Sequence, residues 1–176
     1  IPNRGVDILI TAAKVLKELN FTIIGGVGED LSKMKLYKEK YGLKNVNLLG
    51  YKSQKDLPLY YQKADILILP MTGKEVHTTK YASPSKLFEY MAAKRPIIAS
   101  NLPSLREIIT HGETALLVEP DDSHSLAIAI QRLRLDPDLS SRLVDSATSL
   151  VNEYTWSSRS RHILEFVTSI VNLSDD

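Results

Sequence analysis

Helical and strand patterns alternate along almost the whole chain, and this alternation constrains the fold more than any other feature. The strand candidates are short, continuous apolar runs separated by helical segments. Both faces of such strands must be covered, as in a parallel sheet with helices on either side. Right-handed crossovers then give a doubly wound, Rossmann-like α/β fold. The five predicted strands are 21–24, 45–49, 65–70, 96–100 and 114–118.

Predicted helices occupy the segments between and after these strands. They cover 6–19, 30–41, 54–63, a segment starting at Ser83, 104–109, 123–135, 137–153 and 157–171. Ser104 and Glu107 have the spacing of a capping box, which places one helix start at Ser104. Nothing suggests a linker or a repeat, and 176 residues is the length of one ordinary domain. We therefore expect residues 1–176 to form a single Rossmann-like domain.

The composition of the chain limits the kinds of partner and binding site that can be expected. The chain is 43% apolar and 24% charged, which are globular values, and its net charge of +1 gives no general attraction for nucleic acid. It has no cysteine, which excludes disulfides and thiolate metal sites and is compatible with a reducing compartment. No apolar run approaches the roughly 18 to 20 residues of a membrane span. The chain starts at Ile1 without an initiator Met, which suggests a fragment.

Residues 83–93 have the pattern of a helix that can bind an anion at its start. Ser83 suits the N-cap, and Pro84 suits the first helical position. The next three amides lie at the positive end of the helix dipole, where phosphate binds readily. They belong to Ser85, Lys86 and Leu87. Glu89, about one turn further, can accept hydrogen bonds from two sugar hydroxyls, so the segment indicates a nucleotide site. The simpler interpretation is a capped helix with a solvated Glu89.

Ligands of parallel sheets bind beyond the carboxyl ends of the strands. Turn and loop signals follow four of these ends, and we expect them to share one rim: 25–26, 50–51, 70–82 and 101–102. The loop from Met71 to Ala82 is long for its type, and long loops in compact domains are often functional. Its Glu75 and His77 could form an acid–base pair, but two groups do not make a metal site. No metal is therefore expected.

Residues elsewhere on the rim could complete a nucleotide site. Arg4 precedes the first helix and could clamp a phosphate through two N–H groups. The simpler interpretation of Arg4 is a terminal side chain without a partner. Tyr51 and Lys52 follow the second strand, where a base could lie against the backbone. The simpler interpretation of Tyr51 is an aromatic ring packed at a strand end.

In the order of these features the chain resembles the C-terminal, nucleotide-sugar-binding half of the retaining GT-B glycosyltransferases of the family 4 type, the glycosyl transferases group 1. The resemblance covers nearly the whole chain, and the segment 83–93 is its specific motif. The other segments that carry it are individually weak but strong in this order. They are 3–10, 23–25, 46–51, 60–66, 102–109, 112–118 and 154–156.

The resemblance implies a site for the donor, a UDP- or GDP-sugar. The implied nucleotide-sugar-binding residues are Arg4, Gly5, Ser85, Lys86, Leu87 and Glu89, with Tyr51 and Lys52 flanking the base. Arg4 and the helix amides would bind the diphosphate, and Glu89 would bind the ribose hydroxyls. The family typically works without a bound metal, so no cofactor is implied, and Arg4 and the helix dipole would stabilise the departing nucleotide. No catalytic residue is assigned.

The chain departs from the family pattern at one position. Many members have a second Glu eight residues before the ribose Glu, where it contacts the donor sugar, and this chain has Tyr81 there. The family's N-terminal domain supplies the acceptor site, and the strand usually found ahead of Arg4 is absent from this sequence. We therefore expect the chain to bind nucleotide without transferring sugar by itself. Alanine at Glu89 or Arg4 is expected to weaken nucleotide binding without unfolding the domain.

The resemblance implies a cytoplasmic enzyme that transfers a sugar, with retention, to a glycan, a lipid or a small acceptor. Whether the full protein associates with the inner face of the membrane stays open. Two alternatives also stay open. One is a nucleotide-sugar epimerase on the same scaffold, and the other is a non-catalytic Rossmann-like module that binds a phosphate ligand or a protein partner.

Overall fold

A computed structural model describes residues 5–81 and 85–172 of the chain. Its helices are α1 (Val6–Val15), α2 (Gly28–Lys40), α3 (Leu57–Lys63), α4 (Ser85–Ala92), α5 (Pro103–Arg106), α6 (Ser123–Leu135), α7 (Pro137–Val151) and α8 (Trp156–Asn172). Its strands are β1 (Phe21–Ile24), β2 (Val46–Gly50), β3 (Leu67–Leu69), β4 (Ile97–Ser100) and β5 (Leu116–Val118). All five predicted strands are confirmed, and they alternate with helices as expected.

The strands form two parallel sheets rather than one continuous sheet. β1 pairs with β2, and β3, β4 and β5 form a second sheet in that order. Among the described residues, β1 pairs only with β2 and β3 only with β4, so each of them has one edge without a partner strand. Every strand pair is parallel, and the α/β class with parallel pairing is confirmed.

The central strand β4 shows that helices cover both faces of the second sheet. All four of its residues are buried. Ile98 belongs to one core cluster, which also contains the apolar faces of α1 and α6, whereas Ile97 and Ala99 belong to the other, which contains those of α4 and α5. Because successive side chains of a strand point to opposite faces, this division indicates a doubly wound arrangement.

Several boundaries differ from the predicted ones: α1 ends at Val15 rather than at residue 19, and α3 begins at Leu57 rather than at residue 54. α5 begins at Pro103, with Leu102 as its N-cap residue and no side-chain cap, so the predicted start at Ser104 is wrong. Proline suits the first position of a helix because it lacks an N–H that would need an acceptor. Residues 77–81, predicted to lie in a loop, form one π-helical turn.

Candidate functional site at the carboxyl ends of the strands

Helix α4 anchors the candidate site through its apolar side. Leu87 and Met91, one turn apart, are fully buried, whereas Ser85 is exposed at the start of the helix. The first N–H groups of a helix have no acceptor within it, so the amides at this end can bind an anion. Ser83 and Pro84, the predicted cap residues, lie outside the described residues.

The carboxylate of Glu89 is held by two side chains from other parts of the chain. Tyr61 Oη donates a hydrogen bond of 2.8 Å to Glu89 Oε2, and Gln54 Nε2 donates one of 3.1 Å to Glu89 Oε1. Glu89 is half-buried rather than fully exposed. The simpler interpretation, a solvated surface charge, is therefore wrong for Glu89. Each of its oxygens already accepts one hydrogen bond, and this defines the orientation of the carboxylate.

Two tyrosines pack beside this carboxylate, and its negative charge contributes to raising their pKa values. The rings of Tyr61 and Tyr90 meet edge to face, with centroids 5.2 Å apart. Burial, the hydrogen bond to Glu89 and the charge of that carboxylate raise the pKa of Tyr61 well above its ordinary value. Burial and the same charge raise the pKa of Tyr90 to about 12. Both hydroxyls are therefore protonated at neutral pH, and Tyr61 can act as a donor to Glu89.

The start of α1 lies against the end of β3. Gly5 is the N-cap residue of α1 and has a φ of 62°, in the left-handed region that favours glycine. A Cβ atom on Gly5 would lie 2.7 Å from the carbonyl oxygen of Pro70, which no side chain could tolerate. Gly5 thus allows the start of α1 to lie close to Pro70 at the end of β3. Arg4, the predicted diphosphate ligand, lies outside the described residues.

The ends of β1 and β2 are joined, as predicted for neighbouring parallel strands. Gly25 N donates a hydrogen bond of 2.8 Å to the carbonyl oxygen of Gly50. Tyr51, the next residue, is 72% exposed, so the simpler interpretation that it packs at the strand end is wrong. Lys52 is half-buried, with its Nζ 6.0 Å from the centre of the Tyr60 ring. Tyr51 and Lys52 therefore form an accessible surface at this part of the rim.

The long loop after β3 begins in a defined position because two side chains bind its backbone. The buried Ser100 hydroxyl, at the end of β4, accepts a hydrogen bond from Met71 N and donates one to Met71 O, each 2.8 Å long. Asp121 Oδ2 accepts hydrogen bonds from Thr72 Oγ1 at 3.1 Å and from Gly73 N at 2.9 Å. The carboxyl ends of β3 and β4 therefore lie on one rim, as predicted, and Asp121 adds the end of β5, which was not predicted to lie there.

The remainder of this loop contributes exposed side chains. Glu75, His77 and Tyr81 are all exposed, and Tyr81 retains 71% of its accessible surface. No group of three or more His, Asp or Glu residues within 5–81 and 85–172 could hold a metal ion.

Several residues of the site were not predicted from the sequence, namely Gln54, Tyr61, Ser100 and Asp121. Tyr61 and Gln54 are 28 and 35 positions from Glu89 in the chain. No spacing rule links residues so far apart, because their contact depends on how α3 packs beside α4. Asp121 carries one local signal, since Asp tolerates a positive φ and its φ is 59°. That signal indicates a turn but gives no information about the partner.

A surface depression of about 410 Å³ adjoins the carboxyl end of β4. Its lining residues are Asn101, Arg106, Ile109, Thr110, His111 and Leu117. His111 Nδ1 accepts a hydrogen bond from Leu117 N at 3.0 Å, so this histidine caps part of the outer edge of β5. None of the predicted nucleotide-binding residues within the described part of the chain lines the depression, but Asn101, which directly follows β4, does.

Comparison with known proteins identifies the family of the chain. Residues 1–150 match the sequence profile described as glycosyl transferases group 1. The chain belongs to this family. It is 28% identical over 156 residues to an uncharacterized glycosyltransferase of Methanocaldococcus jannaschii, a match that covers 89% of the chain and 42% of that protein. It is also 28% identical over 161 residues to the phosphatidyl-myo-inositol mannosyltransferase of Mycobacterium leprae, with 89% and 40% covered.

A solved structure has the same fold as this glycosyltransferase-family domain. The crystal structure of Anabaena HepE in complex with UDP superposes with a TM-score of 0.83 at 20% sequence identity, covering 96% of this chain and 46% of that one. The fold is thus that of a GT-B C-terminal domain. The chain spans less than half the length of these relatives. Within the described residues, no helix is both long and apolar enough to cross a membrane.

Proposed function

We propose that this domain binds the nucleoside diphosphate part of a nucleotide-sugar donor. The observation that carries the proposal is the carboxylate of Glu89, held by Tyr61 and Gln54 one turn into a helix at the rim of the strands. In this family member, an oriented carboxylate beside helix amides matches the chemistry of a ribose next to a diphosphate. HepE was solved with UDP and with UDP-glucose, which makes UDP the first ligand to test.

In this proposal the parts of the rim have separate roles. The amides of Ser85, Lys86 and Leu87, with Arg4, bind the diphosphate, and Gly5 allows the chain at Arg4 to approach it. Glu89 accepts hydrogen bonds from the ribose hydroxyls. The exposed Tyr51 and the half-buried Lys52 flank the base. The positive charge of Arg4 and the dipole of α4 stabilise the nucleotide as it leaves, so the site needs no metal.

The proposed activity of the whole protein is transfer of a sugar, with retention, to a glycan, a lipid or a small acceptor in the cytoplasm. Family membership supports transfer over epimerisation. The rest of a longer protein supplies the acceptor site. The 176-residue chain therefore binds nucleotide but transfers no sugar alone. Transfer from a UDP- or GDP-sugar to any acceptor by the isolated chain would contradict this part of the proposal.

Calorimetric titration of the chain with UDP, GDP and ADP, and then with their sugars, tests the proposal. We expect one nucleotide to bind, and Glu89→Gln and Arg4→Ala each to weaken it by about tenfold or more, since hydrogen bonds to charged groups contribute about 1.5–3 kcal/mol. Glu165→Gln is the matched control, because Glu165 is exposed on α8. Unchanged affinity in both site variants, or no binding of any nucleoside diphosphate by the parent chain, would contradict the proposal.

A further inference from the structure

Within the described part of the chain, two hydrogen bonds to Glu89 leave part of its acceptor capacity unused. An ionised carboxylate has about four lone-pair positions, two on each oxygen. Tyr61 occupies one position on Oε2, and Gln54 occupies one on Oε1. As far as residues 5–81 and 85–172 are concerned, each oxygen therefore keeps one position for a further donor. Two neighbouring hydroxyls, such as those of a ribose ring, would fill both.

Of the two groups that donate to Glu89, the Tyr61 hydroxyl is held in place more firmly than the Gln54 amide. Tyr61 is only 8% exposed, and its ring packs edge to face against Tyr90 on the same helix as Glu89. Gln54 lies ahead of α3 and is exposed. A buried hydroxyl without an acceptor is costly, so Tyr61 favours the one arrangement in which Glu89 Oε2 faces it. Gln54 adds a second, weaker constraint on the other oxygen.

We propose that Tyr61 and Gln54 are positioning residues for ribose recognition, holding the Glu89 carboxylate so that both oxygens face the two hydroxyls. The inference rests on the proposed function, because it names the residues that orient Glu89 within the proposed nucleotide site. A glutamate side chain has several rotatable bonds, and fixing them before the ligand arrives removes an ordering cost from binding. Neither residue needs to touch the nucleotide.

The test compares the affinities for UDP and for 2′-deoxy-UDP, measured by calorimetry on the parent chain and on Tyr61→Phe. We expect the parent to prefer UDP. In Tyr61→Phe, UDP binding should fall about five- to tenfold, while 2′-deoxy-UDP, which keeps only one of the two hydroxyls, should lose less affinity, so the preference decreases. Tyr37→Phe, which removes the hydroxyl of a half-exposed tyrosine on α2, should leave the preference unchanged. Gln54→Ala, at an exposed position, should reduce the preference by about two- to threefold.

The outcomes separate this inference from the proposed function. Equal weakening of UDP and 2′-deoxy-UDP in Tyr61→Phe would mean a merely structural role and would overturn the inference. The inference also fails if Glu89→Gln abolishes the preference while Tyr61→Phe and Gln54→Ala keep it, although the proposed nucleotide site would then stand. If Tyr61→Phe does not fold, Gln54→Ala alone decides. A parent chain that binds no nucleoside diphosphate would overturn the proposed function and the inference together.

Discussion

The hydrogen bond between Tyr61 and Glu89 changes which substitutions report on binding. Removing the Glu89 carboxylate would leave the hydroxyl of a buried tyrosine without its acceptor, so alanine at this position affects stability as well as ligand contact. Glu89→Gln keeps one oxygen acceptor at the site. It is therefore the better variant for binding experiments, while the expectation that alanine at Glu89 weakens binding without unfolding the domain stays a prediction.

We predict that Glu89→Ala lowers the free energy of unfolding by about 1–3 kcal/mol, the cost of an unsatisfied buried polar group. The double variant Glu89→Ala with Tyr61→Phe should recover part of this loss, because it removes the orphaned hydroxyl. Urea unfolding of the parent, both single variants and the double variant gives the coupling energy directly. Additive losses in this cycle would mean that the hydrogen bond does not contribute to the folded state in solution.

The tyrosines beside Glu89 also predict how stability depends on pH. The ordinary tyrosine pKa is 10.0, and the pKa of Tyr90 is raised to about 12, with that of Tyr61 raised as well. Because the folded chain holds these protons more tightly than the unfolded chain, their contribution is complete below pH 10 and is lost as the pH rises through the folded-state values.

We therefore expect the free energy of unfolding to fall between about pH 10 and pH 12, and Tyr90→Phe to reduce that slope. Tyrosinate absorbance should show Tyr90 ionising near pH 12. Tyr51→Phe is the control, since Tyr51 is 72% exposed and burial is the main cause of the raised pKa of Tyr90. If the free energy of unfolding falls equally steeply with pH in the parent and in Tyr90→Phe, the raised pKa of Tyr90 is contradicted.

At the scale of elements, Asn45 fastens the end of α1 to the start of β2. Its side-chain amide lies 3.0 Å from each of three carbonyl oxygens, and it is half-buried. The acceptors are those of Ala13, Leu16 and Leu19. The last carbonyls of a helix have no intrahelical donor. The Asn45 amide therefore donates to carbonyl oxygens in the turn that leads from α1 into β1.

We predict that Asn45→Ala destabilises the domain by about 1–3 kcal/mol, because the carbonyls of Ala13 and Leu19 lose the amide as a donor, whereas that of Leu16 still accepts from Leu19 N. Asn45→Asp should be more destabilising at neutral pH, since it places a carboxylate against three carbonyl oxygens and keeps nearly the same shape. Thermal or urea unfolding of both variants measures the order. Asn47→Asp, at an exposed position of β2, provides the matched control. Asn45→Asp being as stable as the parent would contradict this role.

Helix boundaries show where local signals suffice. Asp136 caps α7 by accepting a hydrogen bond of 2.8 Å from Leu139 N, and Thr155 Oγ1 accepts one of 3.1 Å from Ser158 N at the start of α8. Both caps are predictable because the donor and the acceptor are three residues apart. The same reasoning predicts a wrong start for α5, where Pro103 competes with Ser104 for the first turn. A local pattern therefore predicts the start of a helix reliably only where a single residue suits the N-cap position.

At the scale of the whole molecule, burial is uneven. The fully buried leucines Leu139 and Leu143 place α7 against the core, whereas the described side chains of α8 are exposed except for the half-buried Ser158. Several large apolar groups of α8 are among them, including Trp156, Ile163 and Phe166. A helix with few buried contacts draws little stability from packing.

We predict that two leucine-to-alanine substitutions lower the free energy of unfolding by very different amounts. Leu143→Ala, at a fully buried position of α7, should lower the free energy of unfolding by about 2–5 kcal/mol. Leu164→Ala, at a position of α8 that is 66% exposed, should change it by less than about 0.5 kcal/mol. Native-state hydrogen exchange should likewise be faster in α8 than in α6. Comparable costs for the two leucine variants would mean that the apolar side of α8 is covered in solution.

Local patterns in the chain were sufficient to predict the order of helices and strands, the parallel α/β class and the family, because periodicity, caps and apolar runs act over a few neighbouring residues. Three features became visible only in the folded molecule: Tyr61 and Gln54 hold Glu89, Ser100 and Asp121 bind the loop after β3, and the strands pair as two sheets. The side-chain contacts among them join residues 28 to 49 positions apart. Their formation depends on how whole elements pack, which no local spacing records.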